Sequence, residues 1–320
     1  MRLILFISIF TGLFLSACGN SHPTKQKQII VFHAGSLSVP LAQLKAEYEK
    51  KNPGIEILLE AAGSLVCARK VTELKKPCDI VASADYFVIN ELLIPNYTNW
   101  SIRFATNEIV IAYNEKSKHG SEINADNWID ILQRDDVIYS RSDPNSDPCG
   151  YRTVFTFMLA EKYYKREGLT GKMIAKNKDY IRPKEVDLVA LIETNAIDYM
   201  FQYKSVAIQH SLKYIELPDD INLSDPAKTD NYKTVTFEVT GSKPGSKMKV
   251  TGDYINYSMT VLDKAPEKDA AIDFLCYMVS PEGLEIFRKN GQKPIVPFST
   301  DQPDKIPAKL LKYLPDHKVN

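Results

Sequence analysis

Apolar positions follow two rhythms along this chain, and the rhythms alternate. The run 28-QIIVFHA-34 is almost continuously apolar, as in a strand buried on both faces of a parallel sheet. In 39-VPLAQLKAEYEKKN-52, Leu41, Leu44 and Tyr48 fall on one face with Lys and Glu opposite, which predicts an amphipathic helix ended by Pro53-Gly54. Strand 55-IEILLEA-61, a helix from Ser64 to about Lys75, strand 79-DIVASA-84 and a helix after Asp85 continue the pattern. Alternation of this kind predicts a doubly wound α/β unit, whose ligands bind beyond the carboxyl ends of the strands.

A second unit opens at 104-FATNEIVIAYNEKS-117, read as one strand, followed by helix 124–134, strand 137–140, a long helix 148–166, a helix over roughly 184–195 and strand 197–203. The stretch 218–232 is polar and rich in Asp and Pro, and reads as a surface loop. Strands over 232–239 and 254–262 flank a Gly/Lys/Ser hairpin at 241–249; helices 267–280 and 281–291 and the segment 293–297 close the chain. The economical arrangement is two lobes with a cleft between them: residues 28–106 and 251–320 in lobe I and 107–250 in lobe II, joined by two crossover strands.

Helix starts at this edge concentrate donors. 34-AGSLSVP-40, 62-AGSLVCAR-69 and 143-DPNSDPCGYR-152 each open a helix, with Ser36 or Ser38, Ser64 and Asp147 as the expected caps and Pro148 at the first helical position. Unpaired N–H groups at such ends suit an anion. On its residues alone Asp147 reads as a cap, Glu185 as an exposed acid favoured by a helix N-terminus, and Tyr203 equally as a phenol donor or a half-buried aromatic. His33 ends a buried strand and reads as a packed core histidine.

Composition narrows the class. Forty basic and forty acidic side chains in 320 residues give no basic excess for nucleic acid. No GxSxG, HExxH or P-loop is present, so the reading is a binding protein that needs no cofactor and not an enzyme. The N-terminus carries Arg2, an apolar run 3-LILFISIFTGLFL-15 and then 15-LSAC-18. This resembles a bacterial lipoprotein signal: residues 1–17 removed, Cys18 lipidated, and 18–27 a polar tether to an exported body. Cys67, Cys78, Cys149 and Cys276 have no metal-ligand spacing, and a Cys67–Cys78 disulfide stays open.

Taken in order, 32-FHAGSLSVP-40, 60-EAAGS-64, 79-DIVASADY-86, 126-DNWIDIL-132, 143-DPNSDPCGYR-152, 193-ETNAIDYMFQYKSVA-207 and 290-NGQKPIVP-297 resemble the tungstate/molybdate-binding proteins of oxyanion ABC importers, in their archaeal-type branch. The resemblance runs from about residue 28 to 298. It implies a type II periplasmic-binding-protein fold, an exported monomer that serves a permease and its ATPase, and one molybdate or tungstate dianion in the cleft. It implies oxyanion contacts from Gly35, Ser36, Ser64, Pro148, Cys149 and Tyr203, and two carboxylates, Asp147 and Glu185, on the Mo or W centre itself. Cys149 stands where relatives usually have Ala, and the segment 167–183 is short and basic, which loosens the alignment of Glu185. The competing readings are Fe(III), for which the pair Tyr163–Tyr164 is the candidate, sulfate or phosphate on the same fold, and a sensor module for a membrane receptor.

Overall fold

The computed structural model describes residues 26–241 and 245–314. Cys18, the segment 1–17 and nearly all of the tether lie outside the described residues.

Two mixed sheets organise the chain. The larger holds six strands in the order β12-β4-β11-β3-β1-β2. Its parallel half consists of β1 (Lys27–His33), β2 (Ile55–Ala61) and β3 (Ile80–Ser83), with Val31 opposite Ile80 and His33 opposite both Ala61 and Ala82. Helices α1 (Ser38–Lys51), α2 (Ser64–Thr72) and α3 (Tyr86–Leu92) follow these strands in turn. Ile29, Val31, Leu41, Leu44, Leu65, Ala68, Val81 and Ile89 bury their side chains where the helices meet the sheet. At about 25 cal/mol per Å² of apolar surface this burial is the main stabilising term.

The next two strands carry the chain from one sheet to the other. β4 (Ile102–Thr106) belongs to the large sheet, and β5 (Ile109–Tyr113) to a four-stranded sheet of order β6-β7-β5-β8. The stretch expected as a single strand is thus two, broken at Asn107-Glu108. Both halves are apolar, so periodicity could not find the break; it exists because each half pairs with a different sheet. The smaller sheet continues with β6 (Tyr139–Ser140), β7 (Tyr199–Tyr203) and β8 (Lys213–Glu216). Around it run α4 (Trp128–Gln133), α5 (Pro148–Tyr163), α6 (Leu169–Ala175), α7 (Asp187–Glu193) and α8 (Lys204–Gln209). α5 is apolar nearly all round, with Val154, Phe155, Phe157 and Ala160 buried, as befits a central helix.

The return path differs from the expected one. β9 (Thr236–Thr240) pairs with β10 (Lys247–Thr251), not with the strand over 254–262. That later strand, β11 (Asn256–Val261), sits between β3 and β4 and is antiparallel to both. The alternating Lys and apolar residues of 247-KMKVT-251 are an exposed two-stranded ribbon, which a composition reading takes for a loop. The stretch 218–232 is more than a surface loop: it folds into short helical turns that bury Ile221, Leu223 and Tyr232. Helices Lys268–Met278 and Pro281–Lys289 and strand β12 (Lys293–Ser299) complete the first body. Among the described residues no helix is long and apolar enough to cross a membrane.

Candidate functional site

The carboxyl ends of β1, β2 and β3 face the ends of β6 and β7 from the other sheet. β1 runs through Ala34 into a 3-10 turn, Gly35–Leu37, before α1. Gly63 caps α2 through its backbone. Neither serine acts as the helix cap expected of it; each hydroxyl is engaged elsewhere. Ser36 Oγ accepts from the Tyr257 phenol at 3.0 Å, and Ser64 Oγ accepts from the Ala84 backbone N–H at 3.0 Å. Asp147 does cap α5, accepting from Cys149 N at 3.1 Å.

Asp147 also does more than cap. Its second oxygen accepts from Glu185 N at 2.8 Å, while Glu185 Oε1 accepts from Ser36 N at 2.5 Å. One chain of hydrogen bonds therefore runs from the start of α5, through the segment before α7, to the turn after β1. Glu185 is not inside a helix, as expected from sequence; it lies just ahead of α7, and its own carbonyl accepts from Gln202 Nε2 at 2.8 Å, which ties this segment to β7. Ser36, Ser64, Asp147, Cys149, Glu185 and Tyr203 are all at most 1% exposed. The lobes are shut on these groups, and the cavities of about 570 Å³ beside Lys75 and Tyr97, about 400 Å³ beside Met158 and Thr234 and about 390 Å³ beside Phe104 and Pro297 touch none of them.

Close approach of the lobes needs glycine. A Cβ on Gly63 would stand 2.2 Å from Ser146 O across the cleft, and one on Gly35 would stand 2.9 Å from Glu185 Oε2. An ion pair bridges the same gap: Arg152 Nη2 meets Asp85 Oδ2 at 2.9 Å, with both side chains buried. Tyr151 donates to the same carboxylate at 2.6 Å, and Arg152 Nη1 donates to Ala84 O at 2.6 Å and to the Tyr203 hydroxyl at 3.0 Å. At the rim, Arg69 donates to Asn145 O at 2.9 Å and to Thr240 O at 2.6 Å.

Burial dominates the electrostatics of the site. Burial pushes the Asp147 carboxyl well above the usual range, and the adjacent Glu185 charge pushes it further. Burial likewise raises the Tyr203 and Tyr257 phenols, so both remain O–H donors. Three hydroxyls, on Ser36, Ser64 and Tyr203, each accept one bond from the protein and keep their own hydrogen to give. Glu185 Oε2 is buried with no hydrogen-bond partner among the described residues.

The profile of the bacterial extracellular solute-binding proteins matches residues 29–293. The chain belongs to that family. This solute-binding protein is 46% identical to the molybdate/tungstate-binding protein WtpA of Pyrococcus abyssi, over 93% of this chain and 94% of the relative. It is 43% identical to the protein of the same name from Thermococcus kodakarensis, over 90% and 89%, and 47% identical to an uncharacterized solute-binding protein of Petrotoga mobilis, over 90% of both. Among solved structures it is similar to the periplasmic molybdate-binding protein of Azotobacter vinelandii, with a TM-score of 0.61 and 16% identity over 82% of this chain and 98% of that one. The fold is that of the two-lobed periplasmic solute-binding proteins.

The remaining sequence candidates of the solute-binding protein fall into place around this centre. Gly35, Ser36, Asp147, Pro148, Cys149, Glu185 and Tyr203 share the network, and Ser64 joins it through Ala84 and Arg152. The Cys149 N–H is occupied by Asp147, and its thiol, raised well above its ordinary pKa by burial, rests near Phe201 O and Gln202 Oε1. His33 is a core histidine: its Nδ1 lies 2.8 Å from Ala34 O, and burial lowers its pKa to about 4. Cys67 and Cys78 are free thiols, their sulfurs against backbone carbonyls. Tyr163 is exposed and Tyr164 bonds Ala125 O, so this tyrosine pair lies outside the site. Among the described residues no cluster of three His, Cys, Asp or Glu is placed to hold a metal ion. Asp85, Arg152, Gln202 and Tyr257 were not among the expected contacts. The first three lie within quoted motifs; Tyr257 carries no sequence signal.

Proposed function

We propose that this chain is the substrate-binding lipoprotein of an ABC importer, and that it captures molybdate or tungstate between its lobes and delivers the oxyanion to the permease of that importer. The observation that carries the reading is the buried pair of carboxylates at a site otherwise built from donors. Two carboxylates facing the oxygens of sulfate or phosphate repel them. Two carboxylates reaching a high-valent Mo or W centre are hard oxygen ligands suited to it. Glu185 offers Oε2, which has no hydrogen-bond partner among the described residues. Asp147 keeps a lone pair on each oxygen beyond the two backbone bonds it accepts. Ser36, Ser64 and Tyr203 supply hydroxyl hydrogens to the oxo groups, and Gly35 with the Pro148–Cys149 turn lets backbone come close. The names of the Pyrococcus and Thermococcus relatives support the same ligands. The Cys18 motif supports attachment of the exported body to the envelope membrane.

Two measurements test the proposal. A thermal-shift panel of tungstate, molybdate, sulfate, phosphate and Fe(III) should show midpoint increases for the first two; a response confined to another member overturns the ligand assignment. X-ray absorption at the tungsten edge should show six oxygen neighbours in the wild type and fewer in the Asp147→Ala, Glu185→Ala double variant. Four-coordinate tungstate in the wild type refutes coordination by the carboxylates and leaves oxyanion binding standing.

A further inference from the structure

We infer that Tyr257 and Asn107 are positioning residues that fix the Ser36 hydroxyl as a hydrogen-bond donor to the bound oxyanion. This rests on the binding site proposed above and concerns two residues outside it.

The argument is one of hydrogen polarity. Asn107 lies in the two-residue crossing between β4 and β5. Its Oδ1 accepts from Glu108 N at 3.0 Å and from Ser205 N at 3.4 Å. Turning the amide over would set its NH₂ against two backbone donors, so the orientation is fixed. Nδ2 must then donate, and it does so to Ser205 Oγ at 2.7 Å and to the Tyr257 hydroxyl at 3.0 Å. With one lone pair engaged by Asn107, the Tyr257 phenol directs its own hydrogen to Ser36 Oγ, 3.0 Å away. Ser36 Oγ is thereby an acceptor toward the protein, and its hydrogen is left for the ligand. All four of these groups are fully or almost fully buried, so no bulk water competes for the bonds. The Ser36 carbonyl is held as well, by Gln292 Nε2 at 3.0 Å, which prevents the turn from rotating away.

Without the phenol the Ser36 hydroxyl regains its freedom and has to be oriented by the ligand. A hydrogen bond to a charged group contributes on a scale that makes this about a tenfold loss of affinity. Calorimetric titration of the full chain with molybdate and with tungstate, on wild type, Tyr257→Phe, Ser36→Ala and the double variant, reads the effect. The expected result is about tenfold weaker binding for Tyr257→Phe, and no further loss when it is added to Ser36→Ala. Unchanged affinity in Tyr257→Phe, or losses that multiply fully in the double variant, overturns the relay. A lowered melting midpoint with unchanged affinity assigns Tyr257 to packing alone and also overturns it. Should Tyr257→Phe fail to fold, Asn107→Ala enters the same cycle, since the vacated phenol lone pair then draws the Ser36 hydrogen inward; its losses too must vanish in the Ser36→Ala background. A wild type that binds neither anion overturns the site proposal itself, a result distinct from any of these.

Discussion

Gly63→Ala should uncouple closure from folding. Gly63 has φ −59 and ψ 143, a conformation alanine adopts without strain. The methyl group would stand 2.2 Å from Ser146 O, 2.8 Å from Ser146 C and 3.2 Å from Asp147 Cα. All three atoms belong to the opposite lobe. The clash vanishes if the lobes part at this point by about 1 Å, on the usual scale of van der Waals contact. The same retreat stretches the Ser36 N–Glu185 bond from 2.5 Å toward the limit of hydrogen bonding. One charge-assisted bond is worth about 1.5–3 kcal/mol, so the affinity for molybdate or tungstate should fall roughly 10- to 100-fold. Calorimetry measures the affinity, and thermal melting without ligand measures the fold. Gly150→Ala is the control, because its methyl group would meet Asp143 C, Pro144 N and Ser142 O at 2.6 Å, all within one lobe. No opening relieves that contact, so this variant should lose about 1–3 kcal/mol of stability with or without ligand. Wild-type affinity in Gly63→Ala, or a large drop in its unliganded melting point, refutes the reasoning.

Three further outcomes are expected. Arg152→Met leaves Asp85 facing a closed cleft without its cation, a loss of about 3–5 kcal/mol for the shut form; ligand affinity should collapse while the unliganded denaturation midpoint moves much less, because opening rehydrates Asp85. His33 is held at about 4 against an ordinary 6.5, so the unfolded chain binds its proton first as pH falls; the contribution is fully present above 6.5, declines between 6.5 and 4 by about 3 kcal/mol, and the acid limb of a urea-midpoint profile should flatten in His33→Asn. Cys18→Ser should move the protein from the membrane to the soluble exported fraction, and retention of the variant on membranes would sink the lipid-anchor reading.

Much of the fold was legible because most of its elements carry their own periodicity. β2 was read to the residue, and α1 and the start of α5 nearly so, since apolar spacing, Pro148 and the Asp147 cap are local signals. The misreadings have a common cause in tertiary context. The break at Asn107-Glu108 is a choice between sheets. α8 and β8 are too short to declare themselves, and β10 looks like a lysine-rich loop. At the site, the donors and carboxylates were legible as motifs. The roles of Ser36 and Ser64 were not, because the atoms that claim their hydroxyls come from other segments: Tyr257 is 221 positions from Ser36, and Ala84 is 20 positions from Ser64.

The Asp85–Arg152 pair has a mechanical consequence. Two charges withdrawn from water give up in hydration much of what they gain from each other, so such a pair sits near break-even in the shut molecule. It acts as a locating pin and not as a spring. Tyr151 and Ala84 O fix the pin in its socket, so the lobes that meet can meet in only one alignment. Whether they meet is left to the weight of whatever lies between them, and a solute-binding protein that must release what it holds is well served by a clasp that aligns without locking.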